Sequence, residues 1–311
     1  MKTLFIINPN AGSGKIKKIW PKLEVQIKQK IKDYSVEFTK KKGHAIELSR
    51  KAVQKKIPLI IAVGGDGTVS EIAGGFLDKN QKPIQKPSVK STALGIIPIG
   101  SGCDFIRTLE IPNDAEKSLK IILKGKRNII DMGTAVFKNH ANKTEKRSFI
   151  NISDAGIGAQ VMHVYDRQTK FWGPFITYQT ATLRGLKQYT NKYFKITLDK
   201  KVIKDEVANS VLIANGQYFG SGMRVAPDAK LDDGFFDIII LDKMGRLKML
   251  LKMPALQRGK YEGIKEINVY KAKNVKIETR PDAFIELDGE QLGTTPVEFQ
   301  IVPKALPVIV P

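Results

Sequence analysis

The chain has one cysteine, Cys103, and three histidines, His44, His140 and His163, among its 311 residues. A single thiol excludes an internal disulfide, and histidines so scattered offer no zinc-ligand spacing. Long hydrophobic runs are missing too. The N-terminal run Leu4 to Ile7 is broken by Asn8 and Pro9, too short for a signal-peptide core or a membrane-spanning helix, and runs such as Leu59 to Val63 and Phe235 to Leu241 have strand length. Negative charge is scarce: 31 acidic against 52 basic residues give a net charge of +21. That imbalance favours an anionic partner, whether nucleic acid, an anionic membrane surface or a phosphorylated ligand, without choosing among them. A reducing cytoplasm, with any membrane contact peripheral, is the expectation.

Hydrophobic residues make up 42% of the chain, enough to bury the cores of two domains. Up to about residue 127, extended and helical patterns alternate. Strands are expected at Thr3 to Ile7, Ser35 to Thr39, Leu59 to Val63 and Ala93 to Ile97, and helices at Trp20 to Ile31, Ala45 to Val53, Val69 to Leu77 and Ala115 to Leu123. Such alternation implies an α/β domain, residues 1–127, with a parallel sheet and helices on both faces. The Lys-, Gln- and Pro-rich stretch Asp78 to Ser91 reads as a solvated loop.

From about Arg127 the pattern changes to short strands: Ile129 to Phe137, Ser148 to Ser153, Phe194 to Leu198, Glu206 to Ala214, Phe236 to Leu241, Glu266 to Ala272, Val275 to Thr279 and Ala283 to Leu287. Repeated short strands predict a mostly antiparallel β-sandwich, residues 128–299, followed by a Pro-rich, extended tail. Helices interrupt it near Ala159 to Arg167, Phe175 to Tyr189 and Leu247 to Arg258. The apolar stripe Phe175, Tyr178, Leu183 and Leu186, beside Phe171 and Trp172, fits packing on its own sheet or the wall of an acyl-chain pocket.

Three Gly-rich turns each follow a predicted strand of the first domain. Gly64-Gly65-Asp66-Gly67-Thr68 has three glycines in four positions, so main-chain N–H groups can approach a phosphate, and the helix that follows adds its positive end. Asn8-Pro9-Asn10-Ala11-Gly12-Ser13-Gly14 and Pro98-Ile99-Gly100-Ser101-Gly102-Cys103-Asp104-Phe105 offer further backbone amides and hydroxyls. Ligands of parallel sheets bind at the carboxyl ends of strands, so all three turns can face one crevice.

Two acidic stations follow. Asp228-Ala229-Lys230-Leu231-Asp232-Asp233-Gly234-Phe235 suits either a hard cation held by oxygens or a polar hairpin turn. In Glu286-Leu287-Asp288-Gly289-Glu290, a regular strand would point all three carboxylates to one face, where their repulsion calls for a cation or a proton. A solvated edge strand is the alternative.

Taken in order, NPNAGSG, GGDGTVSE, PIGSGCDF, PDAKLDDGFFD and LDGE resemble the lipid kinase family of soluble bacterial diacylglycerol kinases, sphingosine kinases and ceramide kinases, the bacterial diacylglycerol kinases above all. The resemblance implies ATP in the crevice between the domains, contacted by Asn8, Pro9, Asn10, Ala11 and Gly12, by Gly64, Gly65, Asp66, Gly67, Thr68, Val69 and Ser70, and by Thr39 and Ser101. It implies Mg²⁺ at Lys230, Asp233 and Phe235, with Asp233 as the side-chain ligand. It makes Glu290 the proton acceptor with Asp288 beside it, and Asp66 an organiser of the loop or of the catalytic Mg²⁺. The resemblance also implies that the tail, about 300–311, returns to the first domain. Cys103 stands where the family commonly has Asn.

The implied activity is transfer of the ATP γ-phosphoryl group to a lipid hydroxyl, diacylglycerol giving phosphatidic acid. Alternatives are a kinase for a sphingoid base or other lipid alcohol, an enzyme like NAD kinase, or a basic nucleic-acid-binding protein, for which the chain offers no recognisable module. An anionic membrane surface is the expected partner and a homodimer the candidate assembly.

Overall fold

Every position of the run Leu59–Gly64 is buried, as is every position of Ala93–Pro98, and these two strands pair side by side in the first sheet. Strands covered on both faces read as continuous apolar runs, which is why both are visible in the sequence. In chain order the first domain comprises β1 (Thr3–Ile7), a 3-10 turn at Ala11–Gly14, α1 (Ile16–Lys30), β2 (Tyr34–Phe38), α2 (His44–Gln54), β3 (Leu59–Gly64), α3 (Asp66–Gly74), β4 (Ala93–Pro98), α4 (Asp104–Thr108) and α5 (Ala115–Lys124). This is a computed structural model, and it describes residues 1–100, 102–168 and 173–311, the last with side chains from residue 176 onward. Ser101, Phe171, Trp172 and the Phe175 side chain therefore lie outside the described residues.

The strands pair in parallel in the order β2, β1, β3, β4. Alternate residues face opposite ways. Leu4, Ile6, Ile60 and Ala62 pack with Ala45 and Val53 of α2 and Val69 and Ile72 of α3. Phe5, Ile7, Ile61 and Val63 pack with Trp20, Leu23 and Ile27 of α1 and Leu119 and Ile122 of α5. Helices thus cover both faces. Two helix starts differ from expectation: α1 begins at Ile16 rather than Trp20, and α3 begins at Asp66 rather than Val69. The motif glycines around Asp66 occupy the first turn of α3, where N–H groups need no helical partner, so their poor helix propensity matters little.

The second domain continues with β5 (Arg127–Asn139), β6 (Thr144–Phe149), β7 (Ile152–Gly156), α6 (Ile157–Arg167), α7 (Gly173–Gln188), β8 (Lys192–Leu198), β9 (Lys201–Ala214), β10 (Phe236–Asp242), α8 (Arg246–Gln257), β11 (Ile267–Ala272), β12 (Asn274–Arg280), β13 (Phe284–Leu287) and β14 (Glu290–Ile309). The single strand expected at Ser148 to Ser153 is two strands, β6 and β7, because the N–H groups of Ile150 and Asn151 leave the ladder and donate to the Asp288 carboxylate. Antiparallel pairing runs from β9 through β7, β13, β14, β12 and β8 and back to β9, so the sandwich closes into a barrel-like ring.

Inside the ring lie Phe194, Val211, Ile213, Phe236, Ile238 and Phe299. The outward neighbours Leu212, Ala214, Ile239 and Leu241 are also buried, under Leu186 of α7 and Met249 of α8. The long β14 belongs to both domains. It pairs with β13 and β12 in the ring, then runs along β5 and ends parallel to β4 at Val308 and Leu94. No helix among the described residues is long and apolar enough to cross a membrane.

Candidate active site

The carboxyl ends of β1 to β4 open into a cavity of about 1280 Å³. Asn8 starts its wall: the side-chain amide donates to Thr68 Oγ1 at 3.1 Å, and its Oδ1 accepts the Asn10 N–H at 3.0 Å, so the β1 turn is fastened to α3. Asn10, Ala11 and Gly12 line the same wall, Thr39 lines the end of β2, and Gly65, Asp66, Gly67 and Thr68 line the end of β3. No side chain caps α3, so its first turn presents N–H groups and the positive end of its dipole to the cavity. The third turn comes close: a Cβ on Gly100 would sit 2.9 Å from the Gly65 Cα, a separation that only glycine permits.

Other residues of the expected set stand behind this surface. Gly64 is the last residue of β3, and a Cβ there would meet the Thr68 side chain; Val69 is buried in the core below. Pro9 is half-exposed within the β1 turn. Ser70 points away from the glycine turn and donates to Asp288 Oδ2 at 2.6 Å. Ser101 is outside the described residues. Cys103, at φ 52°, has the left-handed backbone that Asn adopts more easily than most residues. Burial pushes its thiol up to about 11, with the charge of Asp66 adding to the effect.

Asp66 does not face the cavity with free oxygens. Its carboxylate accepts the N–H groups of Asp104 at 3.1 Å and Phe105 at 3.2 Å, so it ties the GGDGT turn to the start of α4. Asp288 is held as firmly, by Ser70 and by the N–H groups of Ile150 and Asn151, both at 2.9 Å. Burial pushes its carboxyl up to about 6, against the opposing effect of these donors.

The expected alternation of Glu286, Asp288 and Glu290 on one face is not what forms. Asp288 at φ 48° and Gly289 at φ 84° make a two-residue hairpin turn, Leu287 pairs with Glu290 across it, and the three side chains diverge. Asp-Gly with positive φ at both residues is the pairing that tight hairpins favour. Glu290 remains at the cavity mouth, 3.0 Å from Lys42 Nζ. Glu286 is fully buried, accepts the Gly289 N–H at 2.6 Å and lies opposite Asp154 in the β13–β7 register. Burial first, and Asp154 second, raise its carboxyl well above the usual range, which favours its neutral form.

Three contributors stand within the stretches quoted from the sequence, Glu71 in GGDGTVSE, Asp104 in PIGSGCDF and Tyr178 in the apolar stripe, without being expected as site residues. Glu71, one turn into α3, accepts the N–H groups of Gly43 and Ala45 and so shapes the Lys40 to Gly43 turn opposite Glu290. Asp104 accepts the Ser221 N–H at 2.7 Å, joining α4 to the second domain. Tyr178 of α7, its phenol pushed up to about 12 by burial and by nearby carboxylates, lines the inner wall. Glu71 could have been found from its place one turn after the glycines; Asp104 and Tyr178 depend on long-range packing.

Lys230, Asp233 and Phe235 lie apart from this cavity, in the turn before β10. Asp233 Oδ1 accepts the Phe235 N–H at 3.0 Å and Oδ2 lies 2.9 Å from Lys271 Nζ. The neighbouring carboxyls of Asp131 and Asp237 are raised, by burial first and by Asp233 among lesser causes. The turn offers the oxygen donors that a hard cation prefers, but among the described residues no group of three or more carboxylate, Cys or His side chains is gathered to hold a metal ion, and Lys271 pairs with both Asp233 and Asp237.

Beyond Tyr178 the character of the site changes. A second cavity, about 660 Å³, lies between the outer face of β9 and β10 and helices α6, α7 and α8, and its wall includes Leu186, Leu212, Met223, Met249 and Met253. Tyr165, Tyr178, Phe219 and Gly220 border both cavities.

A parallel-sheet domain whose glycine turns line one cavity, joined to a closed β domain, is a two-domain architecture shared with solved kinases. Residues 2–135 match the diacylglycerol kinase catalytic domain, and residues 151–310 match the YegS C-terminal NAD kinase beta sandwich-like domain. The chain belongs to the diacylglycerol kinase family of lipid kinases. A diacylglycerol kinase of Staphylococcus carnosus is 29% identical over 98% of this chain and 94% of its own length, and one of Staphylococcus aureus is 29% identical over 98% and 91%. A solved diacylglycerol kinase structure from Bacillus anthracis is 25% identical, with a TM-score of 0.72, covering 100% of this chain and 97% of that one. Yeast NADH kinase, 10% identical with a TM-score of 0.55 over 100% of this chain and 84% of its own, shares the fold.

Proposed function

We propose that the chain transfers the γ-phosphoryl group of ATP to the hydroxyl of diacylglycerol, giving phosphatidic acid. One observation carries this reading: the cavity at the glycine turns, lined by both polar and apolar groups, adjoins an apolar one and shares Tyr178 and Phe219 with it as common wall. A nucleotide needs the first and acyl chains need the second. The diacylglycerol kinases that the chain resembles point to the same acceptor.

In this reading the turns Asn8 to Gly12 and Gly65 to Thr68, with Ser101, hold the phosphates, Gly64, Val69 and Ser70 support the second turn from behind, and Thr39 lies beside the adenosine. Phosphoryl transfer asks mainly for positioning and charge neutralisation. Asp66 supplies positioning by fixing α4 to α3. Glu290 takes the acceptor's proton as its oxygen attacks, with Asp288 fixing the hairpin that carries it and Lys42 orienting its carboxylate. Mg²⁺ is proposed at Lys230, Asp233 and Phe235, where it would neutralise and stiffen the turn before β10. The basic excess serves peripheral attachment to anionic membrane, and a homodimer is the proposed assembly.

The deciding test incubates the protein with γ-labelled ATP and a panel of diacylglycerol, monoacylglycerol, sphingosine, ceramide, undecaprenol and NAD. Label in phosphatidic acid above all other products is expected. Preferential labelling of NAD, or of no acceptor, would overturn the reading.

A further inference from the structure

The two helices that cover the apolar cavity also carry apolar side chains on their outer surface. In α8, Met249 is buried and Met253 and Leu256 face the cavity, while Leu247 and Leu251 are 72% and 70% exposed and Leu250 is exposed beside them. In α7, Leu186 faces inward and Ile176 and Leu183, two turns apart, face out. A helix that only closes a core has a polar outer face, so two apolar faces on α8 call for a second neighbour.

The charges identify that neighbour's chemistry. Neither helix contains an acidic residue; α8 carries Arg246, Lys248 and Lys252, and α7 carries Arg184 and Lys187. Lys248 is partnered by Glu266 and Lys252 lines the cavity, while the exposed Arg246, Arg184 and Lys187 add to an outer surface that is cationic around its leucines. A second copy of the same face would bring like charges together, whereas an anionic bilayer accepts leucines among its acyl chains and lysines at its headgroups.

We propose that α7 and α8 form the membrane-docking face, with Leu247, Leu250, Leu251 and Leu183 inserted into an anionic phospholipid surface. Insertion there sets the apolar cavity directly over the bilayer, and a lipid reaches the shared Tyr178 wall without crossing water. The proposal rests on the reading of the substrate as a membrane lipid, and it adds the place and the means of contact: leucine insertion beside the charges, beyond attraction by net charge alone.

The test is sedimentation with vesicles of phosphatidylglycerol and phosphatidylcholine, comparing the native chain, Leu247→Gln/Leu251→Gln and, on the first domain, Val25→Gln/Val89→Gln, whose residues are 57% and 58% exposed. Each buried leucine contributes roughly tenfold to partitioning, so the α8 double variant is expected to bind about a hundredfold more weakly. The first-domain variant should bind like the native chain, and both should phosphorylate a monomerically dispersed short-chain lipid at the native rate. Unchanged vesicle binding by a folded α8 variant overturns the proposal, as does loss of a dimer on light scattering with vesicle binding retained. Binding that fails as expected in a protein without lipid kinase activity would keep the docking face and remove the kinase reading, so the two fail separately.

Discussion

Ser70 Oγ donates to Asp288 Oδ2 at 2.6 Å across 218 positions of sequence, coupling the helix of the glycine turn to the hairpin that carries Glu290. This bond sets the two sides of the crevice relative to each other. Ser70→Ala leaves Asp288 its two backbone donors but removes the hydroxyl. The expected result is a loss of about 1 kcal/mol in stability, with a fall in kcat larger than any change in the ATP KM. Thermal unfolding and steady-state kinetics check it, and Ser70→Thr, which restores a donor, should recover most of the rate.

Asp66 has a comparable joining role within the first domain. Removing its carboxylate strands two N–H groups at the start of α4, a loss comparable to that of a helix cap. Asp66→Ala is expected to cost about 1 to 2 kcal/mol and to abolish most turnover while the circular dichroism spectrum stays native. Asp66→Asn, which keeps one acceptor, should recover stability more than rate.

These two residues also mark how far the sequence was legible. Parallel strands showed because both of their faces are buried, and the glycine turns because phosphate approach restricts backbone chemistry. Asp66 stood in a visible motif, but its partners Asp104 and Phe105 come from another turn, and no local pattern records that pairing. The Glu286 to Glu290 stretch was misread as alternation because the Asp-Gly turn reverses the chain between the carboxylates. The length of β14 was hidden by Pro296 and Pro303, which normally argue against a strand; register shifts at Thr294/Val297 and Val302/Leu306 absorb them. Tyr178 and the second cavity arise where α7 and α8 meet the sheet, which depends on tertiary packing.

Glu290 is paired with Lys42 at the protein surface, and exposed pairs contribute less than about 1 kcal/mol. Glu290→Gln should therefore unfold within a degree or two of the native protein, a shift of roughly 0.5 kcal/mol or less. Turnover should fall roughly 10² to 10⁴-fold if the carboxylate takes the acceptor's proton. A purified, folded variant with near-native turnover would remove Glu290 from that role.

Asp154 offers a test of the buried carboxyls by pH. Its carboxyl accepts hydrogen bonds from Ser210 and the Ala159 N–H, and burial pushes it up to about 6 from an ordinary 3.8. Between those values the native state holds a proton that the unfolded chain has released, so stability falls as pH rises from about 4 to about 6 and then levels. Protonation thus favours the folded form at this group. Asp154→Asn, neutral throughout, should flatten that part of the profile and gain stability relative to the native protein at pH 8 compared with pH 4. Denaturant titrations across this range measure both slopes.

The apolar cavity predicts a chain-length dependence that the nucleotide turns cannot produce. Thr182 lines the cavity of about 660 Å³ from α7, away from the Asn8 and Gly65 walls. Thr182→Trp places an indole in the space assigned to acyl carbons. Overfilling of this kind costs about 1 to 3 kcal/mol, so kcat/KM for long-chain diacylglycerol should fall roughly tenfold to a hundredfold. A six-carbon diacylglycerol needs less of that space, and its turnover should change little. The ATP KM should stay at its native value, because Thr182 does not line the cavity of the glycine turns. Equal losses for short and long chains would mean that the acyl groups lie elsewhere.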